Sequence, residues 1–258
     1  MAALATTASS LRNLETWALF SLLVFTPLAS GATALWSFYI SVWLAALGLG
    51  ALVLRRLIEG RSPLPSTGFL IPFAILAALA IASAFVSIYP TATWKALLRF
   101  MMYLAVFCIA AETAGHRRGT QKLLMVLTGT ALFLVIVGLV KYTGGTIPAF
   151  WQHDVPGQEG FLTSTFYNHN HLAGYLEMVF PLTLSLVVVW DPPHRQIWYG
   201  AVLLLIVGLV LAMSRGAWLA TLTGMGFCTV LLWLKRRWGW PRMVAVGLIG
   251  ALLITLVF

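Results

Sequence analysis

The sequence predicts an all-α fold, a polytopic transmembrane helical bundle of about nine spans with a cytoplasmic N-terminus. Three observations carry this. Hydrophobic residues make up 60% of the 258 and charged residues only 9%, against roughly 25% charged in a soluble domain. The apolar residues fall in runs of the length a spanning helix needs, about 20 residues. The basic residues gather on alternate connections between those runs.

The runs cover about 14–30, 31–54, 69–88, 94–112, 121–142, 170–190, 197–213, 217–234 and 242–258. The first follows Arg12 and shares a short Pro27–Gly31 corner with the second. Arg55, Arg56 and Arg61 separate the second from the third. Lys95 and Arg99 stand at the outer start of the fourth, and Arg117, Arg118 and Lys122 separate it from the fifth. An outer loop of about 143–169 leads into the sixth. Arg195 separates the sixth from the seventh, and SRGAW (214–218) joins the seventh to the eighth. Lys235, Arg236, Arg237 and Arg242 precede the ninth. With a cytoplasmic N-terminus, twelve of the sixteen Lys and Arg fall inside, and only Lys95, Arg99, Lys141 and Arg215 fall outside. A missed span would scramble that asymmetry.

Transmembrane strands would run about 9–11 residues with alternating polarity, which these longer, uniformly apolar runs lack. The LASGA stretch (28–32) is small enough for a signal-peptide cleavage site. Glu15 stands where a signal would be purely basic and the second run follows at once, so the first run is read as a span. Residues 1–258 form a single transmembrane domain without internal repeat or low-complexity linker. An odd number of spans puts Phe258 outside on an apolar run, and the chain is read as the N-terminal portion of a longer protein.

Several function classes drop out. The net charge of +9 is spread over small clusters between apolar runs, not gathered on a face for nucleic acid. Cys108 and Cys228 give neither a disulfide scaffold nor a metal-binding spacing. No phosphate-binding loop or dinucleotide fingerprint is present, so no nucleotide cofactor is expected. His153, His169 and His171 match no zinc pattern, so no metal is expected.

The outer face carries the candidate chemistry. Its long loop contains Trp151, His153, Asp154 and Glu159 and ends in STFYNHNHLAGYLEMVFPL (164–182). Asn168 or Asn170 suits an N-cap of the sixth span. The alternative is a polar cradle in which free N–H groups of the helix start, with His169 and Asn170, hold an anion. Glu177 lies about 10 Å into the sixth span at 1.5 Å per residue. An ionisable group at that depth is either functional or paired inside the bundle, with Lys141 or Arg99 as partner. Asn170, Gly174, Glu177 and Pro181 are spaced to share one helix face, and Pro181 predicts a kink. Arg215 either binds phosphate oxygens, as a planar permanent cation can, or snorkels to the headgroups. Gly216, Ala220 and Gly224 form a small-residue stripe that admits a close helix neighbour. Lys95 and Arg99 share a face and suit an anionic headgroup, whether of substrate or of ordinary membrane lipid.

The pairing of the 164–182 segment with the later LAMSRGAWLA turn resembles the O-antigen ligase and O-antigen polymerase superfamily. Thr165, Phe166, Asn168, Asn170, Ala173, Tyr175, Leu176, Pro181 and Leu182 fit the first family stretch; Ser214, Arg215 and Gly216 fit the second. VGLVKYTGG (137–145) resembles the segment before the loop, and Ser164 stands where many members have glycine. The resemblance implies a metal-independent, inverting glycosyltransferase of the bacterial inner membrane. Its donor would be an undecaprenyl-pyrophosphate-linked glycan, and its acceptor lipid A–core or a growing polysaccharide. It implies that Arg215 is a catalytic residue and that a large outer loop with an arginine and a histidine follows beyond Phe258. Lys95, Arg99, Lys141, Asn168, His169, Asn170 and Glu177 are the candidate substrate-binding residues around it. The competing readings are a transporter of a small anion such as bicarbonate, using Arg215 and Glu177, and a scaffold subunit without chemistry.

Overall fold

In hydrocarbon a backbone must satisfy its own N–H and C=O groups, so apolar runs of spanning length become helices. The computed structural model describes residues 2–65, 68, 70–153, 155–189 and 195–234. Its helices are α1 (Ala2–Leu28), α2 (Leu35–Ile58), α3 (Leu70–Phe85), α4 (Pro90–Ala114), α5 (Arg117–Tyr142), α6 (His169–Val189), α7 (Arg195–Leu211) and α8 (Arg215–Leu234). Among the described residues there is no strand. Helices therefore stand at the first eight expected positions. The ninth run, with Lys235, Arg236, Arg237 and Arg242, lies outside the described residues, as does Asp154.

By length and composition α2, α4 and α5 can cross a membrane, with mean hydropathy of 2.0, 1.6 and 2.7; α3 and the 196–211 stretch are apolar but shorter. That makes the chain a membrane protein, while a count of nine crossings goes beyond what these helices establish. The outward faces agree. Trp17, Trp43, Ile71 and Phe85 are all strongly exposed, and α3 buries no residue at all. Such continuous apolar surface is unusual in water and suits lipid.

Helix bounds depart from the hydropathy bounds at α1. It begins at Ala2 rather than near 14: its more polar first half, rich in alanine and free of glycine and proline, is a good helix former that hydropathy does not register. Contacts divide the chain into two units: Met1–Thr26 with Ala32–Leu123, and Pro27–Gly31 with Leu124–Phe258.

In the first unit α4 packs against α2 and α3, around buried Leu19, Leu52, Cys108 and Ile109. Its most unusual feature is a buried ion network. Arg55, 1% exposed, reaches Glu15, Glu59 and Glu112 at 3.1, 2.9 and 2.8 Å. Arg56 also holds Glu112, at 2.6 Å, and both arginines sit in the last turn of α2, where a cation complements the helix dipole. Burial pushes the Glu59 carboxyl up, but hydrogen bonds from Arg55, Arg61 and Arg12 outweigh it and hold the group below the usual carboxylate range.

In the second unit α6 packs against α7 and α8. Leu134, Leu172, Leu176, Phe180, Leu205 and Leu209 form the centre of its core. A buried hydroxyl pair, Thr128 with Thr183 at 2.8 Å, ties α5 to α6. Helix α6 continues through Pro181, which lies inside it. Among the described residues no helix sits on the small-residue stripe of α8: Gly216 and Gly224 have open space where a Cβ would be, and the buried row is Ala217, Thr221 and Met225. Packing follows the i, i+4, i+8 row, and larger side chains bury more apolar area than glycine.

Candidate functional site

The end of α5 sets the geometry. Gly144 has φ +79, its N–H donates to the Lys141 carbonyl at 3.1 Å, and Gly145 N–H donates to Val140 at 2.8 Å. This is the Schellman arrangement, for which a residue in the left-handed region is needed. It stops the helix directly after Lys141 and Tyr142 and turns the chain into the long loop.

That loop is fastened by polar side chains whose bonding partners the sequence does not reveal. Ser164, fully buried with φ 53, donates to the Leu134 carbonyl at 2.6 Å. Thr165, also fully buried, donates to the Pro27 carbonyl at 2.7 Å, and the Trp151 indole donates to that of Leu28 at 2.8 Å. Leu162 N–H donates to the Leu211 carbonyl at 3.0 Å, so the loop is pinned to the end of α7. These bonds gather the end of α5, the start of α6, the end of α7 and the start of α8 at one end of the unit.

An open cavity of about 620 Å³ lies there, lined by Lys141, His153, Gln158, Glu159, Phe161 and Thr163 among others. Lys141 crosses its wall, donating to Thr163 Oγ1 at 3.1 Å and to the His153 carbonyl at 3.4 Å. His153 stacks on Tyr167 with ring centroids 3.9 Å apart and sits 3.1 Å from Ser30 Oγ. Burial first, and the Lys141 charge second, push its imidazole below the ordinary range. His153 is therefore neutral near pH 7.

His169, the first residue of α6, stands behind the cavity wall. Its ring stacks on Phe161 at 4.2 Å. Both its backbone N–H and its Nδ1 meet Gln158 Oε1, at 3.0 and 2.7 Å. A backbone N–H only donates, so the shared atom is the carboxamide oxygen and Nδ1 carries the hydrogen. The neutral ring then keeps its Nε2 lone pair available.

Asn168 is the N-cap. Its Oδ1 accepts from Asn170 N–H at 2.7 Å, and its carbonyl accepts from His171 at 3.0 Å. With His169 N–H on Gln158, the leading N–H groups of α6 are all taken. Of the two alternatives, capping or free donors for an anion, the geometry takes the first: the loop caps its own helix. Asn170 is exposed on the first turn.

Glu177 lies eight residues after His169, the start of α6, about 12 Å at 1.5 Å per residue, and is half-buried. The face it shares with Asn170, Gly174 and Pro181 is the less buried one, opposite Leu172, Leu176 and Val179. Among the described residues Glu177 forms no ion pair, and Lys141, one of the two partners weighed for it, is directed to the loop.

Arg215 is the first residue of α8. Ser214 precedes it as the cap, its Oγ 3.5 Å from Ala217 N and its carbonyl accepting from Trp218 N–H at 3.1 Å. The exposed guanidinium forms no ion pair or hydrogen bond among the described residues. A cation in a first helical turn opposes the dipole, at a cost of a few tenths of a kcal/mol, so stability alone does not explain it. Lys95 and Arg99 belong to the first unit, where Arg99 lies 5.3 Å over the Phe38 ring.

Six of the eight candidate residues thus fall in one unit, five of them at one end. The sequence reading missed Gln158 and Thr163, which orient His169 and Lys141. Their only signal was proximity to the polar loop end. It also read Arg55 and Arg56 as topology markers alone, although few carboxylates were available and three of them proved to be their partners. No family model, curated protein or solved structure matches the chain.

Proposed function

We propose that the chain forms the donor-binding part of a bacterial inner-membrane glycosyltransferase of the O-antigen ligase type. It moves a glycan from an undecaprenyl-pyrophosphate carrier to lipid A–core or a growing polysaccharide at the outer face. The observation that carries the reading is the polar cavity beside Lys141 at the same end of the unit as the unneutralised Arg215. A further support is Ser164: its left-handed backbone is the conformation that glycine, common there in the family, adopts without strain.

In the proposed reaction the acceptor hydroxyl oxygen attacks the anomeric carbon from the face opposite the pyrophosphate. The carbon–oxygen bond to the pyrophosphate breaks, and the carrier pyrophosphate leaves with the bonding electron pair. Arg215 and Lys141 stabilise that developing charge. The hydroxyl proton passes to a base, for which His169 Nε2 is the local candidate. The carrier already holds an activated sugar, so no nucleotide or metal is required by this chemistry.

The test is Arg215→Ala in the producing cell, with lipopolysaccharide resolved on a gel. Loss of the ladder at normal expression supports the reading, and an undiminished ladder overturns it. Glu177, half-buried without an ion-pair partner among the described residues, is the feature that suits the anion-transport alternative. Labelled-anion uptake into vesicles that depends on Glu177 would favour it.

A further inference from the structure

A second polar cavity, of about 210 Å³, opens within the first unit, far in sequence from the residues above. Arg12 of α1, Arg55 of α2 and Arg118 and Lys122 of α5 line it, against only two carboxylates, Glu15 and Glu112; His116 completes the rim. Both carboxylates are already engaged by Arg55, and Arg12 is shared with Glu59 at 3.2 Å. Arg118 and Lys122 form no ion pair or hydrogen bond among the described residues. The lining therefore carries two positive charges more than its own carboxylates neutralise.

The local sequence makes that surplus costly without a counter-charge. RRGTQK opens α5, and its first turn holds no acidic residue. Cations there oppose the helix dipole, and Arg118 and Lys122, four apart, repel each other on one face. Gly119 keeps the pair in place: a Cβ there would lie 1.9 Å from the Thr113 carbonyl oxygen. The first turn of α5 is thus pressed against the end of α4, and any side chain at position 119 would force the two apart. The volume is below the roughly 300–1,000 Å³ of pockets for drug-sized ligands, and it matches a single small anionic group.

We propose that this cavity binds a phosphate-bearing anion, held by Arg118 and Lys122 over the neutralised floor of Arg55, Glu15 and Glu112. The chemistry is the same for a phospholipid headgroup or a soluble phosphate, and the experiment separates them. The full chain is reconstituted in phosphatidylcholine nanodiscs. Inorganic pyrophosphate is titrated in one arm and phosphatidylglycerol is incorporated in the other. Thermal unfolding and native mass spectrometry read binding.

Stabilisation in either arm that the Arg118→Gln, Lys122→Gln pair removes supports the site and names its source; stabilisation that this pair leaves intact belongs to the outer end and overturns it. Arg118→Gln with Lys122→Gln is expected to weaken binding about tenfold or more, as loss of charge-assisted hydrogen bonds does. Arg117→Gln, the same charge change beside the cavity but not in its lining, leaves it within about twofold. The charge-preserving pair Arg118→Lys and Lys122→Arg retains binding, which keeps the test valid if the glutamine pair folds poorly. No binding in either arm, or equal loss in Arg117→Gln and the glutamine pair, overturns the proposal.

Discussion

Replacing Arg55 by methionine tests the energetics of the first unit. The guanidinium is 1% exposed and Glu15 is 3% exposed. Arg55 meets Glu15 through Nε at 3.1 Å and through Nη2 at 3.1 Å. Without Arg55, Glu112 keeps Arg56 at 2.6 Å and Arg61 at 3.3 Å. Glu59 keeps Arg12 at 3.2 Å and Arg61 at 3.3 Å. Glu15 alone keeps no ion-pair partner among the described residues. Orphaning one buried charge typically costs about 3–5 kcal/mol, whereas replacing both partners by apolar groups is often neutral. At roughly 2–4 °C per kcal/mol for a chain of this size, Arg55→Met should melt about 6–20 °C lower. The double variant Arg55→Met with Glu15→Met should recover at least about 2 kcal/mol of that loss. Tryptophan fluorescence during heating in detergent reads both. A double variant that melts no higher than Arg55→Met would refute the reasoning.

Three further outcomes follow from the second unit. Ser164→Ala should lose about 1 kcal/mol with its buried hydrogen bond, while Ser164→Gly should stay near neutral because relief of the left-handed backbone, about 1–2 kcal/mol, offsets that loss; the same melting assay ranks them. Asn168→Ala should cost about 1 kcal/mol by uncapping α6, measured as a lower melting temperature, and Asn168→Asp should preserve the cap. His153 titrates below its unfolded value, so the unfolded chain takes up protons first as pH falls. Its contribution is fully present above the ordinary imidazole pKa of about 6.5 and is lost as pH drops through the folded value. Melting temperature should therefore decline below about pH 6.5, and Lys141→Gln should flatten the decline in part, since burial remains; an unchanged slope counts against the assigned cause.

Helix positions were legible because length and hydropathy alone decide them once water is absent. The start of α1 was not, because helix propensity in a more polar, alanine-rich stretch leaves no hydropathy trace. Asn168 as a cap was also legible, since its side chain acts two residues away. Gln158 was not: its bonds to His169 span a loop whose path depends on Ser164, Thr165 and Trp151 finding carbonyls far along the chain. The partners of Arg55 were hidden for the same reason, lying 40 and 57 residues away in sequence. In α8 the buried row Ala217, Thr221 and Met225 was not legible, because a small-residue stripe shows where a helix can approach, not which face the described helices cover.

Affinity for the carrier lipid tests the central claim most directly. Undecaprenyl pyrophosphate is titrated into the nanodisc-reconstituted chain and compared with Lys141→Ala, Arg215→Ala and the distant Arg117→Gln. Each outer-end variant should bind about tenfold or more weakly while Arg117→Gln binds like the parent. Equal affinity across all four proteins would contradict an anion site at that end of the helices.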